Sequence, residues 1–213
     1  MDLDLFFQIV VLILSIIIHE VAHGYAAEMF GDPTARLAGR LTLNPVKHVD
    51  PLGSVIIPAV LVFSGSSLLF GWAKPVPYNP YNLRGRFAET VVALAGVLVN
   101  LGLALIFGLA IRFFGESMSP AFLSLLGMVV YINLLLAFFN LIPFPPLDGS
   151  RALTSLLPYH LLERYRQFEA SIASFGLIAS FLLLFLLIQL IWPYFSALLS
   201  AVFSFITGIP LGS

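Results

Sequence analysis

No cysteine occurs in the chain, so disulfides and thiolate ligands are excluded and redox usage says nothing of its compartment. Charge is scarce as well. Asp, Glu, Lys and Arg make up 10% of the 213 residues, against about 25% in an ordinary soluble domain. The net charge of −1 provides no basic field, so no nucleic-acid partner is expected. Internal repeats, low-complexity tracts and runs of charge are missing. So is a basic leader: Asp2 and Asp4 stand at the N-terminus, which does not read as a cleaved signal peptide. What abounds is apolar sequence in long blocks, 60% of residues with a mean hydropathy of +1.01. These features predict an all-α polytopic membrane protein with little room for an extramembrane domain.

A spanning helix needs about 20 apolar residues. Leu3–Phe30, Thr90–Phe113, Ala121–Ile142 and Ile172–Trp192 qualify well. Leu52–Phe70 is interrupted by Pro58 and Ser64-Gly65-Ser66-Ser67, and Tyr194–Leu211 is short and holds Gly208 and Pro210. The expectation is therefore four to six transmembrane helices. Trp192 and Tyr194, around Pro193, read as an aromatic anchor at a turn between helices. Between the first two spans, Arg36–Leu43 partly alternates, which suggests a short strand or hairpin. Trp72–Leu83, with Pro75, Pro77, Asn79 and Pro80, reads as an extended loop.

Basic residues orient membrane proteins by staying in the cytoplasm. They cluster after the first helix (Arg36, Arg40, Lys47), before the Thr90 helix (Lys74, Arg84, Arg86) and after the Ala121 helix (Arg151, Arg164, Arg166). Placing all three groups inside puts the N-terminus outside and makes Leu52–Phe70 a re-entrant segment; an ordinary short span is the alternative.

Against this background His19-Glu20-Val21-Ala22-His23 is anomalous, because it sits inside the first apolar stretch. HExxH puts two imidazoles at i and i+4 on one helical face with a carboxylate beside them, a zinc pair plus a general base. Charged groups at such a place are costly and point to function. A catalytic zinc takes three protein ligands. Asp148 is the best-placed third, in Pro143-Phe144-Pro145-Pro146-Leu147-Asp148-Gly149. The prolines should end the Ala121 helix in an extended stretch, and Gly149 should permit a sharp turn. His19, His23 and Asp148 all lie toward C-terminal helix ends, so they meet only if those two helices run parallel. The re-entrant topology gives that arrangement. Elsewhere, Glu28 reads as an interfacial charge, His48 as a loop residue and His160 as surface. Asn100 with Gly96 reads as a close helix contact with one interhelical hydrogen bond.

These residues resemble the site-2 protease family of intramembrane zinc metalloproteases. The resemblance rests on the HExxH in a membrane helix and on Asn140…Pro143…Asp148-Gly149, similar to the family's NxxPxxxxDG. Ala95-Gly96-Val97-Leu98-Val99-Asn100 is similar to the family's middle-helix motif, with Val97 where Pro is usual. Residues 19 to 149 carry the matches, as in short prokaryotic members without PDZ or CBS domains. By this resemblance one Zn2+ per chain is held by His19, His23 and Asp148, Glu20 activates water, and Asn140 hydrogen-bonds the substrate backbone or the oxyanion.

The expectation is a single membrane-embedded metalloprotease domain over 1–213, with a catalytic core of about 3–155 and C-terminal helices at about 170–211. It would cut a transmembrane protein substrate in the lipid bilayer, near the cytoplasmic side of a prokaryotic plasma membrane. Because a helical peptide bond is shielded, the substrate must unwind, and the 72–83 and 143–147 segments are candidates to pair with it. A zinc transporter or a metal-binding membrane scaffold is the alternative. An adaptor or a homo-oligomer remains open.

Overall fold

The computed structural model describes residues 3–56, 60, 63 and 73–211. Seven α-helices follow in order among them: α1 (Leu3–Met29), α2 (Thr34–Leu37), α3 (Ala88–Phe114), α4 (Pro120–Asn140), α5 (Asp148–Leu156), α6 (Tyr159–Ser174) and α7 (Gly176–Thr207). Four stretches are long and apolar enough to cross a bilayer: Leu5–Met29, Ala88–Ser117, Pro120–Asn140 and Leu182–Thr207. Helix is the expected solution there, since each backbone group finds its partner within its own segment. The large apolar side chains left exposed along them, such as Phe6, Ile13, Leu98, Ile106 and Leu186, are those a lipid environment covers.

Helix α3 is central and packs on α1, α4, α5 and α7. Its buried face repeats every fourth residue: Val92, Gly96, Asn100, Ala104, Gly108. Small residues at that spacing let neighbouring helices approach closely, which is how helices associate where lipid removes the hydrophobic drive. His23 meets Val92 while His19 meets Asn100, so α3 runs antiparallel to α1. Ser15 meets Asn133, and His19, further along α1, meets Asp148 just past α4. The order is the same along both stretches, so α1 and α4 are parallel, as the ligand argument requires.

Three sequence expectations are corrected. Arg36–Leu43 forms no strand; it holds the end of α2 and an irregular stretch. Among the described residues the alternation there has no partner strand, and the Asp32 side chain, bonded to Thr34 N and Oγ1, favours a helical turn instead. Pro193 lies inside α7 rather than at a turn, so the last candidate span is Leu182–Thr207 and not Ile172–Trp192. Membrane helices tolerate such a proline where neighbouring helices, hydroxyl side chains or local adjustments satisfy the freed carbonyl, since breaking the helix in lipid would orphan more backbone groups. The helix stops instead at Gly208, whose φ of 79° is the left-handed cap glycine adopts without strain. Pro143–Leu147 is a series of bends, with Phe144 N bonded to Ile142 O and Leu147 N to Phe144 O, rather than an extended stretch. Of the expected Trp72–Leu83 loop, Ala73–Asn79 forms no helix or strand, Pro80–Asn82 is a 3-10 turn, and Trp72 lies outside the described residues. Pro51–Ile56 forms a short π-helical piece, but most of the 52–70 segment lies outside the described residues, and with it the re-entrant expectation.

Candidate metal centre

The HExxH lies well inside α1. His23 and His19 are six and ten residues before the helix end at Met29, or about 9 and 15 Å along the axis. Both imidazoles are buried, and Asp148, the first residue of α5, reaches them from the α4–α5 elbow. His19 Nε2 lies 2.9 Å and His23 Nε2 3.2 Å from Asp148 Oδ2, and the two Nε2 atoms are 3.1 Å apart.

That triangle is a metal-sized one. Ligands about 2.0–2.1 Å from a tetrahedral ion stand about 3.3 Å apart. The far side of each ring is consistent with ligation. His23 Nδ1 lies 2.7 Å from Val92 O, which only accepts, so Nδ1 carries the proton and Nε2 presents a lone pair. His19 Nδ1 lies 3.3 Å from Asn100 Oδ1. Two nitrogen donors and a carboxylate are a zinc set, and the residues present fit that ion.

The local sequence explains the closeness. A Cβ at Gly96 would stand 2.5 Å from the His19 ring, so only glycine lets α3 lie against that side chain. A Cβ at Gly149 would stand 2.3 Å from the carbonyl oxygen of Leu141. Gly149 therefore serves a close backbone approach at the start of α5, not the sharp turn its sequence suggests. Helix α6 braces the same elbow: Tyr165 Oη lies 3.0 Å from Pro143 O and 3.1 Å from Ser150 Oγ. Burial there raises the Tyr165 phenol, opposed by the Ser150 hydrogen bond and assisted by nearby Glu169.

A cavity of about 130 Å³ opens on this cluster, lined by Glu20, Asn140, Tyr78, Pro146 and Arg151 as well as the three ligand candidates. All five residues predicted for the site thus face one cavity. Glu20 Oε2 accepts a 2.8 Å hydrogen bond from the backbone N–H of Val76. Asn140 Nδ2 donates to Leu136 O of its own helix. Asn100, read from sequence as a helix contact only, is fully buried and meets His19. Its Nδ2 has no hydrogen-bond partner. The Val76 amide and Arg151 were not foreseen. A backbone donor leaves no sequence signal, whereas Arg151 stands one helical turn past Asp148. His48 is no open loop residue: it is buried, with Nε2 2.8 Å from Thr42 O. Glu28 pairs with Arg36, and His160 is exposed as expected.

Comparison with known proteins agrees with the geometry. The profile described as Peptidase family M50 matches residues 110–187, a stretch that includes Asp148. "Putative zinc metalloprotease YwhC" of Bacillus subtilis (strain 168) is 39% identical over 202 residues, 90% of this chain and 86% of that protein. "Putative zinc metalloprotease Rip2" of Mycolicibacterium smegmatis is 32% identical over 142 residues, 66% of this chain and 53% of the relative. The protein of the same name in Mycobacterium tuberculosis (strain ATCC 35801 / TMC 107 / Erdman) is 31% identical over 141 residues, with the same coverage. No solved structure matches the chain. Near-complete alignment with the Bacillus protein, together with the profile match, shows that the chain belongs to peptidase family M50, the site-2 protease family of zinc metalloproteases.

Proposed function

We propose that this protein is an intramembrane endopeptidase that hydrolyses a peptide bond in or near a transmembrane helix of its substrate. One observation carries the reading: the HExxH nitrogens and Asp148 converge inside an apolar helix, beside a cavity that also holds Glu20. In this reading His19, His23 and Asp148 hold one zinc ion. When bound, zinc polarises a carbonyl and lowers the pKa of water to about 7. Glu20 takes the proton from the attacking water and passes it to the leaving amine. The Val76 N–H leaves one of its two carboxylate oxygens free for that traffic. Asn140 spends one of its two amide N–H groups on Leu136 O, which leaves the other for an oxyanion and its carbonyl oxygen for a substrate N–H.

The site's depth of about 9–15 Å from the end of α1 suits a cut close to one membrane face. Basic residues crowd that end of the bundle, so the positive-inside rule assigns it to the cytoplasm and the N-terminus to the outside. The membrane is then the plasma membrane of a prokaryote, and the partners are the lipid bilayer and a locally unwound transmembrane protein. The Ala73–Asn79 segment, which forms no helix or strand, borders the cavity through Pro75, Val76 and Tyr78 and suits pairing with an unwound strand.

Glu20→Gln tests the reading. The variant, reconstituted in vesicles with a helical reporter, should keep one zinc per chain and lose cleavage. Wild-type cleavage by that variant would overturn the mechanism. Zinc uptake into vesicles with no new peptide termini would indicate a transporter instead.

A further inference from the structure

The segment that donates to Glu20 is itself fastened to α1. The Lys74 N–H donates to His48 O at 2.8 Å, and Arg40 Nη2 donates to Lys74 O and Pro75 O at 3.0 and 3.1 Å. The Val76 side chain is buried on Gly24, where an added Cβ would stand 2.8 Å from Val76 Cγ1. At the far end stands Asp32, a fully buried carboxylate just beyond α1. It accepts four hydrogen bonds, all from neutral donors: Asn79 N at 2.6 Å, Asn82 Nδ2 at 2.8 Å, and Thr34 Oγ1 and N at 2.5 and 3.2 Å. Burial raises this carboxyl, but the four donors together hold it below its usual range. Among the described residues no Lys, Arg or His forms an ion pair with it. Two of its donors come from the 73–83 segment. A buried anion satisfied this way is costly to disturb, so it fixes the segment in one register on α1.

We propose that Asp32 is a positioning residue for catalysis: by clamping Asn79 and Asn82 it sets the Ala73–Asn79 segment so that the Val76 amide holds the Glu20 carboxylate in working geometry. Glu20 gains from this because a proton carrier misplaced by 1 Å can lose about a hundredfold in rate. The inference rests on the reading of Glu20 as the general base.

The test is a double-mutant cycle with a conformational readout. Asp32→Asn turns one acceptor into a donor facing the Asn79 N–H; Val76→Pro removes the amide hydrogen on Glu20 and replaces the buried valine side chain with a ring. Each should keep one zinc per chain and lower kcat about 10- to 100-fold. The double variant should be no slower than the worse single, since both act on one contact. Val76→Cys puts the only thiol of the chain at a buried position. It should label slowly alone and at least about tenfold faster with Asp32→Asn. Asn82→Leu removes a single donor and should move both readouts in the same direction by a smaller factor, which keeps the test open if Asp32→Asn folds poorly. Multiplying losses, a loss confined to KM, or unchanged labelling would overturn the proposal. Glu20→Gln separates the two readings. If it abolishes cleavage while Asp32→Asn leaves kcat intact, only the positioning role fails. If Glu20→Gln cleaves normally, the protease mechanism fails first.

Discussion

The two halves of α3 use one residue pattern for opposite purposes. Near its start, Val92, Gly96 and Asn100 face α1 and handle polar groups: a carbonyl for His23, space for the His19 ring, and an amide for His19 Nδ1. Near its end, Ala104, Gly108 and Ile111 face an apolar cluster with Val130, Leu134, Leu199 and Phe203. There Gly108 makes room for Ile206, whose Cγ2 would stand 2.4 Å from an added Cβ. The fourfold spacing is thus a rule about closeness. What is brought close decides whether the helix serves chemistry or cohesion.

Substitutions along α3 turn this contrast into measurements. Gly96→Ala should have the largest effect, because its methyl lands on a ligand ring that has nowhere to go. Zinc affinity should fall at least about 100-fold, beyond the 10–100-fold usual for residues behind a ligand, as read by chelator competition. Asn100→Ala should weaken zinc by about 10–100-fold, since it removes only the hydrogen bond that orients His19. Gly108→Ala should leave zinc affinity unchanged and cost about 1–3 kcal/mol of stability, measured by unfolding in detergent, because Ile206 can shift. Gly102, with nothing within 4 Å of its Cβ position, should tolerate alanine to within about 0.5 kcal/mol. Equal zinc loss in the Gly96 and Gly108 variants would erase the distinction between the halves.

Much of the site was legible in the sequence because its chemistry needs side chains of restricted type. His19, Glu20 and His23 announce themselves by spacing, and Asp148 by its company of prolines and glycine. The helices were legible wherever apolar runs were long. Pro193 misled because its usual effect assumes water to accept the broken helix, and lipid offers none. Arg36–Leu43 misled because two-residue alternation needs a partner strand to become a sheet. Least legible was the 73–79 segment. Its position depends on backbone donors and on Asp32, whose buried role no local pattern reveals. Gly149 was singled out rightly for a wrong reason: it answers to the Leu141 carbonyl, a contact visible only once α5 folds back on α4.

His19 and Asp148 lie 129 residues apart and share a contact of 2.9 Å. The distance in sequence makes the proposed metal centre a checkpoint on biogenesis. A chain still being synthesised carries the HExxH from its first helix onward, yet it cannot close the site until α3 and α4 are in place and the elbow beyond them has turned. Because such a site does not exist in the unfinished chain, the free energy of binding a metal there would arrive only once that elbow has turned. In the proposed reading, hydrolysis is thereby withheld until the helices that bring His19, His23 and Asp148 together have packed.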